Sequence, residues 1–131
     1  MTAKEIANLL KTASVGLLLI SESDYPFEVV VWSGAGAVTA QNILQQIEKP
    51  PETLVKEVDL DSFFQKVTQE QDWYGDEEKA NVTKYRNLAQ VIKSNLADVK
   101  VFRIGEIEID IYIIGKVDAD LVGLKTQVVE T

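Results

Sequence analysis

Apolar residues recur at helical spacing over residues 2–14, with Ile6, Leu9, Leu10 and Ala13 on one face. Thr2 and Glu5 stand at capping-box spacing, so the threonine oxygen takes one orphan N–H and the glutamate reaches back to another. The apolar run 15–20 predicts a buried connector. Ser21-Glu22-Ser23-Asp24-Tyr25-Pro26 is polar, ends at a proline and predicts an exposed loop. Residues 27–32 are β-rich and nearly all apolar, the pattern of a strand covered on both faces. Ser33-Gly34-Ala35-Gly36 breaks that run. A short helix over 39–47 carries Ile43, Leu44 and Ile47 inward, and Lys49-Pro50-Pro51-Glu52 stops it.

Residues 54–58 predict a short strand. Asp59 or Asp61 caps a further helix that carries Phe63, Phe64 and Val67. A long helix is predicted over 76–96, with Tyr85, Leu88, Val91, Ile92 and Leu96 as its apolar stripe and acids in the first turn, where the helix dipole favours them. Residues 99–104 and 107–114 predict a hairpin around Gly105. The second strand alternates: Glu106, Glu108 and Asp110 on one side, Ile107, Ile109 and Ile111 on the other. A period of two means one wet face, or one covered by a polar partner. Residues 117–120 turn the chain, and 121–129 form the last strand.

Helices before and after strands, with late strands joined by short turns, predict an α+β domain on a mainly antiparallel sheet. One domain over residues 1–131 suits a chain of this length. At 46% hydrophobic and 26% charged, the composition is that of a folded protein. Cysteine is absent, which excludes disulfides, thiolate metal sites and thiol nucleophiles and suits a reducing cytoplasm. Histidine is absent too, so Ser-His-Asp and Cys-His sets and histidine metal sites are excluded. No signal peptide is expected from the polar start of the chain. No membrane span is expected either, since the longest apolar run covers only residues 15–20.

The net charge is −8, from 21 acids and 13 bases. Such a surface repels a nucleic-acid backbone and attracts a basic partner. Several acidic groups are candidates for chemistry. Glu106, Glu108 and Asp110 share a strand face and suit a hard cation or an acid–base pair, against the simpler reading of a solvated face. Asp59/Asp61 and Asp118/Asp120 resemble oxygen ligands, but caps and turns use aspartate in the same way. The acidic stretch around Asp72-Trp73-Tyr74 reads equally as an interface anchor or as a segment whose Trp73 folds back to cover the long helix. Glu22 and Asp24 sit in the predicted loop. Thr131, as last residue, joins a hydroxyl to a free carboxylate. Read singly, none makes a catalytic set, and no enzyme is predicted.

Taken together, several segments carry a resemblance. Ser21-Glu22-Ser23-Asp24-Tyr25-Pro26-Phe27-Glu28-Val29, Asp61-Ser62-Phe63-Phe64, Gln71-Asp72-Trp73-Tyr74, Val91-Ile92-Lys93-Ser94-Asn95-Leu96, Gly105-Glu106-Ile107-Glu108-Ile109-Asp110 and Val128-Val129-Glu130-Thr131 occur in order and near-family spacing. In these the chain resembles the cyanobacterial nuclease A inhibitor (NuiA-like) family over essentially its whole length. It departs at Asp24, where the family has glutamate, at Gly75 and Gln127, and across residues 33–52.

The resemblance implies a three-layer α/β/α sandwich with a pathogenesis-related-protein-like arrangement. It also implies inhibition of a sugar-nonspecific, magnesium-dependent endonuclease. Thr131 would then reach the nuclease's magnesium, with no metal or cofactor of the inhibitor's own. Glu22 would meet a nuclease arginine, with Asp24 beside it, and Asp72 and Trp73 would join the interface. The partner is expected to be the nuclease itself in a 1:1 complex, with no direct nucleic acid and no membrane, the free inhibitor being a cytoplasmic monomer. The alternative is an acidic interaction protein, or nucleic-acid mimic, with another partner on the same scaffold.

Overall fold

The computed structural model describes residues 2–14, 27–34, 36–50, 52–68, 76–105 and 108–129. The elements are α1 (Ala3–Ser14), β1 (Glu28–Trp32), α2 (Ala40–Gln46), β2 (Val55–Val58), α3 (Leu60–Thr68), α4 (Asp76–Asn95), β3 (Ala97–Ile104), β4 (Glu108–Val117) and β5 (Asp120–Val129). The strands form one five-stranded sheet in the order β1-β5-β4-β3-β2. Every described pairing is antiparallel, so the fold is of the α+β class.

The helix starts follow the local chemistry of their caps. Glu5 donates its backbone N–H to Thr2 Oγ1 at 3.2 Å, and the Thr2 N–H donates to Glu5 Oε1 at 3.3 Å. Both orphan donors of that turn are thereby satisfied reciprocally. Thr39 caps α2 by accepting the Asn42 N–H at 3.2 Å, and Asp59 caps α3 by accepting the Ser62 N–H at 3.2 Å. At its far end α4 closes with the Leu96 N–H donating to the Ile92 carbonyl at 2.9 Å.

Apolar side chains occupy both faces of the sheet. On one, Leu10 of α1, Phe64 of α3 and Leu88 and Ile92 of α4 pack on Val101, Ile113 and Leu124. On the other, Val38 and the α2 residues Ile43 and Leu44 pack on Phe102, Ile114 and Leu121. The register explains the division, because Val101, Ile113, Leu124 and Val29 lie opposite one another along a single cross-strand row.

Two expectations are corrected here. The run at residues 27–32 is covered on both faces only in part: Val29 packs on the α1/α4 core and Val30 and Trp32 on the α2 core, but Val31 stays exposed. As β1 it sits at the sheet edge, pairs only with β5 among the described residues, and leaves Val31 41% exposed. Its valines satisfy β-propensity as well at an edge as in a centre, so the apolar run alone does not report position. Nor does the polar side of β4 stay wet along its length. Glu108 is exposed and Asp110 half-buried, but Tyr112 and Ile114 on that side are buried. There α2 and Val38 cover the sheet.

The predicted hairpin is present but longer than its apolar pattern. β3 begins at Ala97, with a register shift between Ala97 and Lys100 and Asp98 at a φ of 52°. Gly105 closes the hairpin end of β3 at a φ of 112°, where a Cβ would stand 2.5 Å from the Glu108 carbonyl oxygen. Only glycine tolerates both conditions. Among the described residues, no helix is long and apolar enough to cross a membrane.

Candidate functional site

The strand registers gather a set of strand ends at one end of the sheet. β1 begins with Glu28 opposite Lys125, and β5 runs on from there to Val129, opposite Glu108 at the start of β4. β3 finishes there with Ile104 opposite Asp110, and β2 starts there with Val55 opposite Ile104. The opposite end holds the β4–β5 turn, the start of β3 and the end of β2.

The helices follow. Asp61, at the start of α3, pairs with Lys93, near the end of α4, so the two helices run antiparallel. Ile6 of α1 lines a hollow with Leu96 and Val117, which places the start of α1 at the β4–β5 turn end. Phe27, just ahead of β1, meets Tyr85 midway along α4 with ring centroids 6.1 Å apart. From Tyr85 the helix continues toward Asp76 at about 1.5 Å per residue, away from Lys93. The described ends of α1 and α3, the start of α4, the start of β1 and the end of β5 therefore all face one end of the molecule.

Segments 15–26, 69–75 and 130–131 are joined to those ends. The predicted contact residues Glu22, Asp24, Asp72, Trp73 and Thr131 fall in these segments and lie outside the described residues, as do the 15–20 connector and the 21–26 loop. What the described chain supplies is the common side from which all three segments depart.

The paired aspartates have local work. Asp59 is the α3 cap, Asp61 holds Lys93, and Asp120 Oδ1 accepts the Gly34 N–H at 2.7 Å, tying the turn after β1 to the start of β5. Asp118 adopts a φ of 54° in the β4–β5 turn, a backbone conformation in which Asp and Asn are enriched among non-glycine residues. Of the strand triplet, Glu106 is outside the described residues. Among the described residues, no group of three or more acids is placed to hold a metal ion.

A groove between α3 and α4 is lined by Phe64 and Ala89, with Asp61, Arg86 and Lys93 among its polar groups. Asp61 and Lys93 pair with each other there, and among the described residues the groove assembles no acid–base set.

One group was missed by reading single segments. Glu28, Lys125 and Tyr112 lie on the same sheet face in one cross-strand row, next to Asp110 and Glu108. Burial holds the Tyr112 phenol above its ordinary pKa, and the negative charges of Asp110 and Glu28 add to that effect. The signal was the alternation in β4. Its continuation across β5 to β1 depends on registers that no local pattern contains.

A family model described as nuclease A inhibitor-like protein matches residues 4–131. No curated protein matches the chain. With nearly its entire length matched, and with a described fold that agrees with the expected α+β class, the chain belongs to the nuclease A inhibitor-like family.

Proposed function

We propose that this protein inhibits a sugar-nonspecific, magnesium-dependent endonuclease by occupying its active site, and that it has no catalytic activity of its own. The family match over residues 4–131 carries this reading. The departure of segments 15–26, 69–75 and 130–131 from one end of the molecule supports it, since one partner surface can then meet Glu22 and Asp24, Asp72 and Trp73, and Thr131 together.

The chemistry suits such a target. A nuclease cleft holds a divalent cation and basic groups that recognise phosphate. Where Thr131 ends the chain, its carboxylate and hydroxyl offer hard oxygen ligands to the nuclease's magnesium, in place of phosphate oxygens. Glu22 and Asp24 offer carboxylates to the planar donor fork of an arginine. Trp73 supplies the aromatic area that interface anchors use. The net charge of −8 speeds encounter with a basic cleft. The complex is 1:1 and the free inhibitor a monomer in this reading.

The test is a titration of the purified chain into a magnesium-dependent, sugar-nonspecific endonuclease, with DNA and RNA cleavage followed in parallel. Loss of both activities at one equivalent is expected. Full cleavage at a large excess of the chain would overturn the reading for that nuclease class.

A further inference from the structure

Two of the three contact segments are framed by elements that meet at one side chain. Segment 15–26 leads from α1 to β1, and segment 69–75 joins α3 to α4. Phe27 is the first described residue after the former, and Phe64 lies one turn before the end of α3, ahead of the latter. Tyr85 of α4 meets both rings. Its centroid lies 6.1 Å from that of Phe27 at 73°, and 6.4 Å from that of Phe64 at 61°. Phe63 stands edge-on to Phe64 at 5.4 Å and 90°. Tyr85 and Phe64 are buried, and Phe27 and Phe63 pack against the same core.

Edge-on ring contacts specify an angle as well as a distance, because the positive edge of one ring meets the negative face of the other. An aliphatic side chain fills space without imposing that angle. Tyr85 therefore fixes how β1 and α3 are turned about α4. The Asp61–Lys93 pair also joins α3 to α4, but both of its side chains are more than half exposed, and an exposed ion pair contributes little. Residues 130–131 depart differently. They follow β5, whose ladder with β4 continues to Val129 opposite Glu108. Their point of departure is set by backbone pairing rather than by the rings.

We infer that Tyr85 is a positioning residue for inhibition: it aligns segment 15–26 with segment 69–75, so that Glu22 and Asp72 meet the nuclease together. Being buried, Tyr85 meets no partner itself and acts through β1 and α3. Segments held out of alignment must be reordered on binding, and that cost is subtracted from affinity. The inference rests on the proposed inhibition and names what couples two of its contacts.

The experiment is a set of double-mutant cycles on the inhibition constant for the magnesium endonuclease, run where every variant is fully folded by circular dichroism. Tyr85→Leu is expected to weaken inhibition about tenfold. Tyr85→Phe, which keeps both ring contacts, is expected to stay within about twofold of wild type. Combined with Glu22→Gln or Asp72→Asn, Tyr85→Leu is expected to cost at least about threefold less than the product of the single losses. Combined with deletion of Thr131, the losses are expected to multiply within about twofold. Losses that multiply in all three cycles, or a Tyr85→Leu chain as potent as wild type, overturn the inference and leave the inhibitory reading intact. Equal coupling in all three cycles marks a general loosening and overturns it too. If the wild-type chain inhibits no such nuclease, spin labels at Glu22→Cys and Asp72→Cys report directly, since the chain has no cysteine of its own. A label-to-label distance distribution that broadens or shifts in Tyr85→Leu and returns to that of wild type in Tyr85→Phe upholds the positioning role. Identical distributions overturn it.

Discussion

Phe27 stands edge-on to Tyr85, their ring planes at 73° and centroids 6.1 Å apart. Tyr85 in turn meets Phe64 of α3 at 6.4 Å. This chain of rings locks the start of β1, the middle of α4 and α3 into one cluster. It thereby fixes the point at which segment 15–26 joins the sheet. Tyr85 is 3% exposed, so Tyr85→Ala leaves a cavity and removes two aromatic contacts. A loss of about 3–5 kcal/mol is expected, measured by denaturant unfolding. A loss under about 1 kcal/mol would mean the cluster does not order this corner.

The caps give smaller and more local effects. Asp59→Ala leaves the Ser62 N–H without its acceptor at the joint between β2 and α3. About 1 kcal/mol of stability is expected to be lost, with m-value unchanged. Asp59→Asn, which keeps an acceptor oxygen, should restore most of it.

Gly123 lies under the ladder where no side chain fits. A Cβ there would be 1.8 Å from the Ile113 carbonyl oxygen. Gly123→Ala must push β4 and β5 apart in the middle of the sheet. The expected cost is about 2 kcal/mol or more, seen as a lowered denaturant midpoint and faster amide exchange at Ile113 and Ile114. Gly34, whose added Cβ would meet nothing within 4 Å, is the control for crowding, although its φ of 64° carries backbone strain of its own.

Alkaline unfolding reports on Tyr112. Burial, then Asp110 and Glu28, raise the pKa of the folded phenol. The unfolded tyrosine titrates near pH 10. Below that pH both states hold the proton and the stabilisation is fully present. Above it the unfolded chain binds fewer protons than the folded one, so stability falls until the folded phenol also ionises. Lysines and other tyrosines titrate in the same range, so the readout is the difference between wild type and Tyr112→Phe. Wild type is expected to lose more stability than the variant between about pH 9 and about pH 11. Parallel pH profiles would contradict the assigned environment.

Much of this fold is written locally. Thr2/Glu5 announce a helix start by side-chain chemistry that needs no tertiary partner, and of the two candidates Asp59 and Asp61 it is Asp59 that caps α3. The β4 alternation of Ile109 and Ile111 against Glu108 and Asp110 assigns its faces correctly as far as Asp110. What the local pattern lacks is long-range pairing. The apolar run at 27–32 reads as a strand covered on both faces, and side-chain preference does not record that β5 pairs with it on one side while Val31 stays exposed. Tyr112 and Ile114 turn a wet face into a covered one because α2, far away in sequence, packs there. The site is legible mainly through its resemblance. Glu22, Asp72 and Thr131 are ordinary residue types singly, and the roles proposed for them depend on a partner's metal and arginines, which this chain's own pattern does not contain.

The central claim is that chain-end and loop oxygens plug the nuclease's metal-bearing cleft. The most direct measurement is the inhibition constant for the magnesium endonuclease of the chain with Thr131 deleted, beside Glu22→Gln and wild type. The account predicts a loss of at least about 100-fold for the deletion and about tenfold or more for Glu22→Gln. It also predicts thermal unfolding matching wild type in both variants. Undiminished inhibition by the chain lacking Thr131 would contradict it.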